Sequence, residues 1–202
     1  ILENVSFSTA IYDKDDNLIR LTLANDGIYR VYKPLNEISP KLRDAALLYE
    51  DRWFYYHFGV NPVALFRAFT SLIKQDNRPF GASTITMQLA RLKYNINSKT
   101  ILGKLKQIFY AVILEIRHNK NEILEAYLNL APYGHNIEGA EAASLIYFNV
   151  NAKDITLFES ITLTVIPQNP VKRVPTSKIG IQNGIESRKR IFPTWLKYHP
   201  ED

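Results

Sequence analysis

Glu50 and Asp51 are adjacent carboxylates, followed at once by Arg52, the aromatic run Trp53, Phe54, Tyr55 and Tyr56, and His57. A carboxylate among aromatic neighbours loses solvation, which raises its pKa and suits it to take or give a proton near neutral pH. The aromatic run is read as core rather than as a substrate platform, and His57 as a hydrogen-bonded structural histidine. The second chemical feature is a gap. No acidic residue falls between Asp76 and Glu115, whereas Arg78, Arg91, Lys93, Lys99, Lys104 and Lys106 all do. Such an excess, beside the free N–H groups of a helix that starts near Ser83, would build a site for a compact anion such as phosphate or pyrophosphate. A solvated basic face is the plain alternative. Nucleic acid fits less well, because exposed aromatics are not interleaved with the charges and no reading motif is present.

The elements that must position these residues are mostly helical. Thr9 to Tyr12 and Leu18 to Leu23 read as a small hairpin about the turn Asp13 to Asn17, and Ile28 to Tyr32 as a third short strand ending before Pro34. Ser39-Pro40 opens a helix that runs to Glu50, and Asn61-Pro62 repeats the device. The helix after Pro62 carries Val63, Leu65, Phe66, Phe69, Leu72 and Ile73. Such a stripe is ordinarily core, with a membrane-dipping face as the alternative. Ser83 is expected to cap the next helix, and a longer one follows with Leu105, Ile108, Phe109, Val112, Ile113 and Ile116 at i, i+3, i+4, i+7 spacing. A helix holding Ile123, Leu124, Tyr127 and Leu128 comes next, and Asn136 and Asp154 read as caps for two more.

With 202 residues, 46% hydrophobic and 22% charged, the chain can build a real core, which excludes disorder and low complexity. The absence of Cys excludes disulfides, a thiolate nucleophile and Cys-based zinc sites. The formal charge of +5 points to an anionic partner. No apolar run reaches the roughly 20 residues of a membrane span. Because the chain begins at Ile1 without an initiator Met, a processed or excised N-terminus is expected.

Three segments read together are far more specific. Glu50 to Gly59 reads E-D-x-x-F-x-x-H-x-G, Gly81 to Gln88 reads G-x-S-T-I-T-x-Q, and Lys120 to Asn129 reads K-x-x-I-L-E-x-Y-L-N. Their order and spacing resemble glycosyltransferase family 51, the peptidoglycan glycosyltransferase domain of class A penicillin-binding proteins, over Ile38 to Ile191. Gly59-Val60-Asn61-Pro62, Gly103 to Gln107 and Ala131-Pro132-Tyr133-Gly134 resemble its 1C branch.

The resemblance implies a mainly α, lysozyme-like glycosyltransferase domain over 36–202, with a small membrane-contacting subdomain, after a short N-terminal β-hairpin leader over 1–35. It implies polymerisation of lipid II into β-1,4 glycan strands with inversion and release of undecaprenyl pyrophosphate. Glu50 would be the general base. Arg91, Lys99 and Lys104 would stabilise the departing pyrophosphate, helped by a divalent cation, Mg or Mn, and no organic cofactor. Asp51, His57, Ser83, Thr84, Gln88, Asn129 and Arg188 fall at the family's substrate-binding positions, with Glu125 and Asn129 also holding the cleft together. Its implied partners are lipid II and the nascent glycan, the membrane surface through the apolar helix 62–73, and a transpeptidase domain in the full-length protein, but no nucleic acid. The implied location is the periplasmic face of the bacterial inner membrane. The third motif departs from the family's R-K-x-x-E: the second catalytic glutamate is Gln107 here, and Met87 replaces a common Gln. Gln107 can hydrogen-bond but cannot do a carboxylate's work. That leaves open a lipid II or glycan-binding module with weakened catalysis, which Gln107→Glu would separate from an active polymerase. A lysozyme-like hydrolase is the third reading, and a basic groove would serve no purpose on its neutral glycan.

Overall fold

Pro40 stands at the first turn of helix α1, Pro40–Glu50, where its missing N–H costs nothing; the carbonyl of Ser39 accepts from Leu42 and Arg43 at 3.1 Å each. The computed structural model to which α1 belongs describes residues 1–15, 18–63 and 83–202. Most of the helix expected over 62–73 therefore lies outside the described residues. The others are α2, Ile85–Lys93; α3, Ile101–Arg117; α4, Lys120–Leu130; α5, Ala140–Phe148; α6, Leu157–Val165; α7, Pro170–Arg173; and α8, Lys178–Tyr198. Among the described residues no helix is long and apolar enough to cross a membrane. The architecture is mainly helical, as expected, with two short hairpins, β1 Ala10–Tyr12 with β2 Leu18–Leu21 and β3 Pro132–Gly134 with β4 Ile137–Glu138.

The chain divides into two compact units, one formed by Ile1 with Glu50–Tyr127 and the other by Leu2–Tyr49 with Leu128–Asp202. In the second unit Ala45, Ile161, Val165, Ile191 and Trp195 make a core cluster joining α1, α6 and α8. The expected third strand does not extend the first hairpin. Instead Tyr29 makes a single parallel bridge to Ile137, donating to Asn136 O at 2.8 Å and accepting from Glu138 N at 3.0 Å. Buried Arg30 explains the arrangement, since its guanidinium donates to Ser6 O at 2.6 Å and pairs with Glu138 and Asp26. The caps also differ from expectation. Gly139, at φ 85°, precedes α5 in place of Asn136, and Thr156 with Glu159 forms a capping box on α6 in place of Asp154.

In the first unit α3 packs through Gly103, Gln107, Ala111 and Leu114. The expected apolar face forms, but it is not the buried one. Ile101, Leu102, Leu105, Phe109 and Ile116 are all more than half exposed, on the side of α3 opposite its buried residues. The aromatic run behaves likewise. Only Phe54 is core, while Trp53, Tyr55 and Tyr56 are exposed, because the one 3-10 turn Phe54–Tyr56 points a single ring inward.

Candidate active site

Glu50 ends α1 and Asp51 follows it outside the helix, so the two carboxylates part company. The Gln88 side chain on α2 donates from Nε2 to Glu50 Oε2 at 2.8 Å. Buried Asp51 turns to structure. Its oxygens lie 2.8 and 2.9 Å from His57 Nε2, and Oδ2 also accepts from Ile85 N at 3.0 Å. A carboxylate on the first N–H of α2 is favoured by the helix dipole. The N-cap of that helix is Thr84 rather than Ser83, its hydroxyl accepting from Met87 N at 3.1 Å and donating to Gly59 O at 2.6 Å. Gly59 itself sits at φ 72°, where a Cβ would lie 2.9 Å from Ala111 O. The last residue of the first motif therefore has to be glycine.

Ser83 instead accepts from Lys104 Nζ at 2.9 Å. Lys104 also donates to Gln107 Oε1 at 3.0 Å, and Gln107 Nε2 donates to Met87 O at 2.7 Å. Gln107 is 1% exposed, so its amide joins α3 to α2 in the position expected to be catalytic. Burial, then the positive charge of Arg91, pushes the Lys104 ammonium below its ordinary pKa. Arg91 and Lys104 therefore share one electropositive neighbourhood, whereas Lys99 lies exposed before α3. Two further residues complete this unit. Buried Glu115 accepts from Thr86 Oγ1 at 2.6 Å and from Lys120 Nζ at 2.7 Å, and Lys120 also donates to His57 O at 2.6 Å. Glu115 was passed over in the sequence, although it is the residue that ends the acid-free stretch. Tyr127 reads in the sequence as an apolar position of its helix and as the tyrosine of the third segment, with no role at the site.

Asn129 and Arg188 belong to the second unit. Asn129 is buried and clamps the main chain of Lys33, accepting from its N–H at 2.9 Å and donating to its carbonyl at 2.8 Å. Arg188 donates to Thr162 Oγ1 at 2.9 Å beside an apolar cavity of about 320 Å³ lined by Phe158, Ile161, Ile185 and Phe192.

Among the described residues, the donors around Glu50 do not form a divalent-cation cage. Asp51 is engaged by His57 and Ile85, Glu115 by Thr86 and Lys120, and position 107 carries an amide. Among the described residues the one cluster of three close donors is His199, Glu201 and Asp202 in the second unit.

The sequence model of the Transglycosylase family matches residues 16–193. The chain belongs to the Transglycosylase family. It is similar to penicillin-binding protein 1C of Escherichia coli, 36% identical over 85% of this chain and 23% of the relative. It is also similar to penicillin-binding protein 2D of Bacillus subtilis, 39% identical over 81% of this chain and 23% of the relative. The crystal structure of penicillin-binding protein 1A from Haemophilus influenzae superposes with a TM-score of 0.51 at 19% identity, covering 97% of this chain and 19% of that one. That likeness establishes the transglycosylase fold. The chain spans about a quarter of the length of these curated relatives.

Proposed function

We propose that this transglycosylase domain polymerises lipid II into β-1,4 glycan strands by inverting transfer, with Glu50 as general base. The acceptor's 4-hydroxyl oxygen bonds to the donor's anomeric carbon on the face opposite the leaving group, and its proton passes to Glu50. The bond from that carbon to the pyrophosphate oxygen breaks, and its electron pair leaves with undecaprenyl pyrophosphate. The observation that carries the reading is the hydrogen bond from Gln88 to Glu50 in the unit that also holds Lys104 and Arg91. A carboxylate that accepts from a fixed amide suits a base, and cations in the same unit suit a charge that develops only as the pyrophosphate departs. The test is glycan chain formation from labelled lipid II by the native chain and by Glu50→Gln.

The divalent cation enters this reading as a counter-ion of the substrate's pyrophosphate, not as a resident of the protein. Chelation with EDTA is expected to lower turnover, and Mg or Mn to restore it. Gln107 supports a second reading, in which the domain grips lipid II or nascent glycan with weakened catalysis. Lipid II binding without polymer in the native chain would favour it.

We place the domain at the periplasmic face of the bacterial inner membrane, within a longer protein that carries a transpeptidase domain. The exposed stripe of α3 supports membrane contact, with Lys106 and Arg117 available to an anionic headgroup layer. Leu105→Ser with Phe109→Ser is expected to weaken binding to anionic vesicles by about tenfold or more, at roughly 25 cal/mol per Å² of apolar area. Because both side chains are exposed, thermal stability should hold. Co-sedimentation and a melting curve check the pair of outcomes.

A further inference from the structure

The Gln88 side chain has two ends of nearly equal size and opposite polarity. Turned over, it would aim its oxygen at the Glu50 carboxylate. The carboxylate, an acceptor only, opposes that rotation, and on α4 the Tyr127 hydroxyl, 2% exposed as a residue, donates to the oxygen end of the amide, Gln88 Oε1, at 3.5 Å. With its oxygen occupied there, the amide presents Nε2 to Glu50 Oε2 at 2.8 Å. Gln88 is held in turn by its helix, since the N-terminus of α2 rests on Asp51 and Met87 O accepts from Gln107. We propose that Tyr127 and Gln88 form a positioning chain for Glu50, in which the tyrosine steadies the oxygen end of the amide and the amide holds the carboxylate. Their effect is on the base. A donor on the carboxylate favours its ionised form, so the base stays ready at neutral pH and its plane stays set for the incoming hydroxyl.

This inference rests on the reading of Glu50 as general base, and the experiment separates the two. The pH dependence of kcat/KM for polymerisation of labelled lipid II is measured for the native chain, Tyr127→Phe, Gln88→Leu and the double variant. Loss of the donor raises the pKa of the base, so the acid limb should move to higher pH, by about one unit in Gln88→Leu and about half that in Tyr127→Phe. The loss should fall on kcat, about tenfold, with KM nearly unchanged. Tyr127→Phe should have no further effect once Gln88 is Leu. Profiles that superimpose on the native one overturn the proposal, as does a Tyr127→Phe shift of the same size in both backgrounds. Gln88→Glu gives an independent check should Tyr127→Phe lose stability. Two carboxylates at this distance share a proton, and the acid limb should rise by more than one unit. An unmoved limb would again overturn it. Polymerisation that survives Glu50→Gln would remove the reading of the base itself, whatever these profiles show.

Discussion

Glu50→Gln is expected to lower glycan polymerisation by about 10³-fold, within the 10² to 10⁴ that a positioned general base supplies. The substitution keeps size and shape, and its side-chain oxygen can still accept from Gln88 Nε2, which sits 2.8 Å from Glu50 Oε2. The variant should therefore fold as the native chain does and melt within a few degrees of it. What it lacks is a group able to take the acceptor's proton at neutral pH. Because the deficit lies in chemistry, it should appear in kcat, with lipid II affinity retained. Chain formation within tenfold of the native rate would exclude Glu50 as the base. Loss of lipid II binding along with activity would show that the substitution had disturbed more than proton transfer.

The second large effect is expected at the neighbouring carboxylate and is of another kind. Asp51→Ala strips the partner from His57 Nε2 and from the N–H of Ile85, both inside the unit. Each buried polar group left unmatched costs about 1–3 kcal/mol, so a loss of about 3 kcal/mol is expected. For a chain of this length that corresponds to a melting temperature lower by about 6–12 °C. Activity should fall as well, by about 10²-fold, because the first turn of α2 is no longer anchored and Gln88 rides on that helix. Asp51→Asn keeps one acceptor and should lie between the two. A melting curve of Asp51→Ala that superimposes on the native one would overturn the structural assignment.

The sequence disclosed the chemistry in unequal measure. That Glu50 and Gln88 belong to one neighbourhood, and Lys104 and Ser83 to another, was legible because fixed residue types at fixed spacing survive any uncertainty about packing. The general form of α1 and α3 was legible from Pro40 and from the apolar period. Which face of α3 would be buried was not. Its packing is made by Gly103, Gln107 and Ala111, small or polar residues that add nothing to an apolar pattern but let a neighbouring helix come close. Ser83 and Thr84 are both competent caps, and only the carbonyl of Gly59, waiting for the Thr84 hydroxyl, decides between them. Tyr29 failed to continue a hairpin because Arg30 has better partners elsewhere, a tertiary fact that no local propensity contains. The contacts of Glu115 and Tyr127 were not legible for a similar reason. Each acts through side-chain contacts made across long stretches of chain.

Helix α2 is tied at successive residues: Ile85 to Asp51, Thr84 to Gly59, Thr86 to Glu115 and Met87 to Gln107. Residue 88, the next in line, holds Glu50. A helix of nine residues bound so closely along its length has little room to loosen on its own. The surroundings of Glu50 and the fold of its unit are thus tied together, and on heating the two are expected to be lost in a single event.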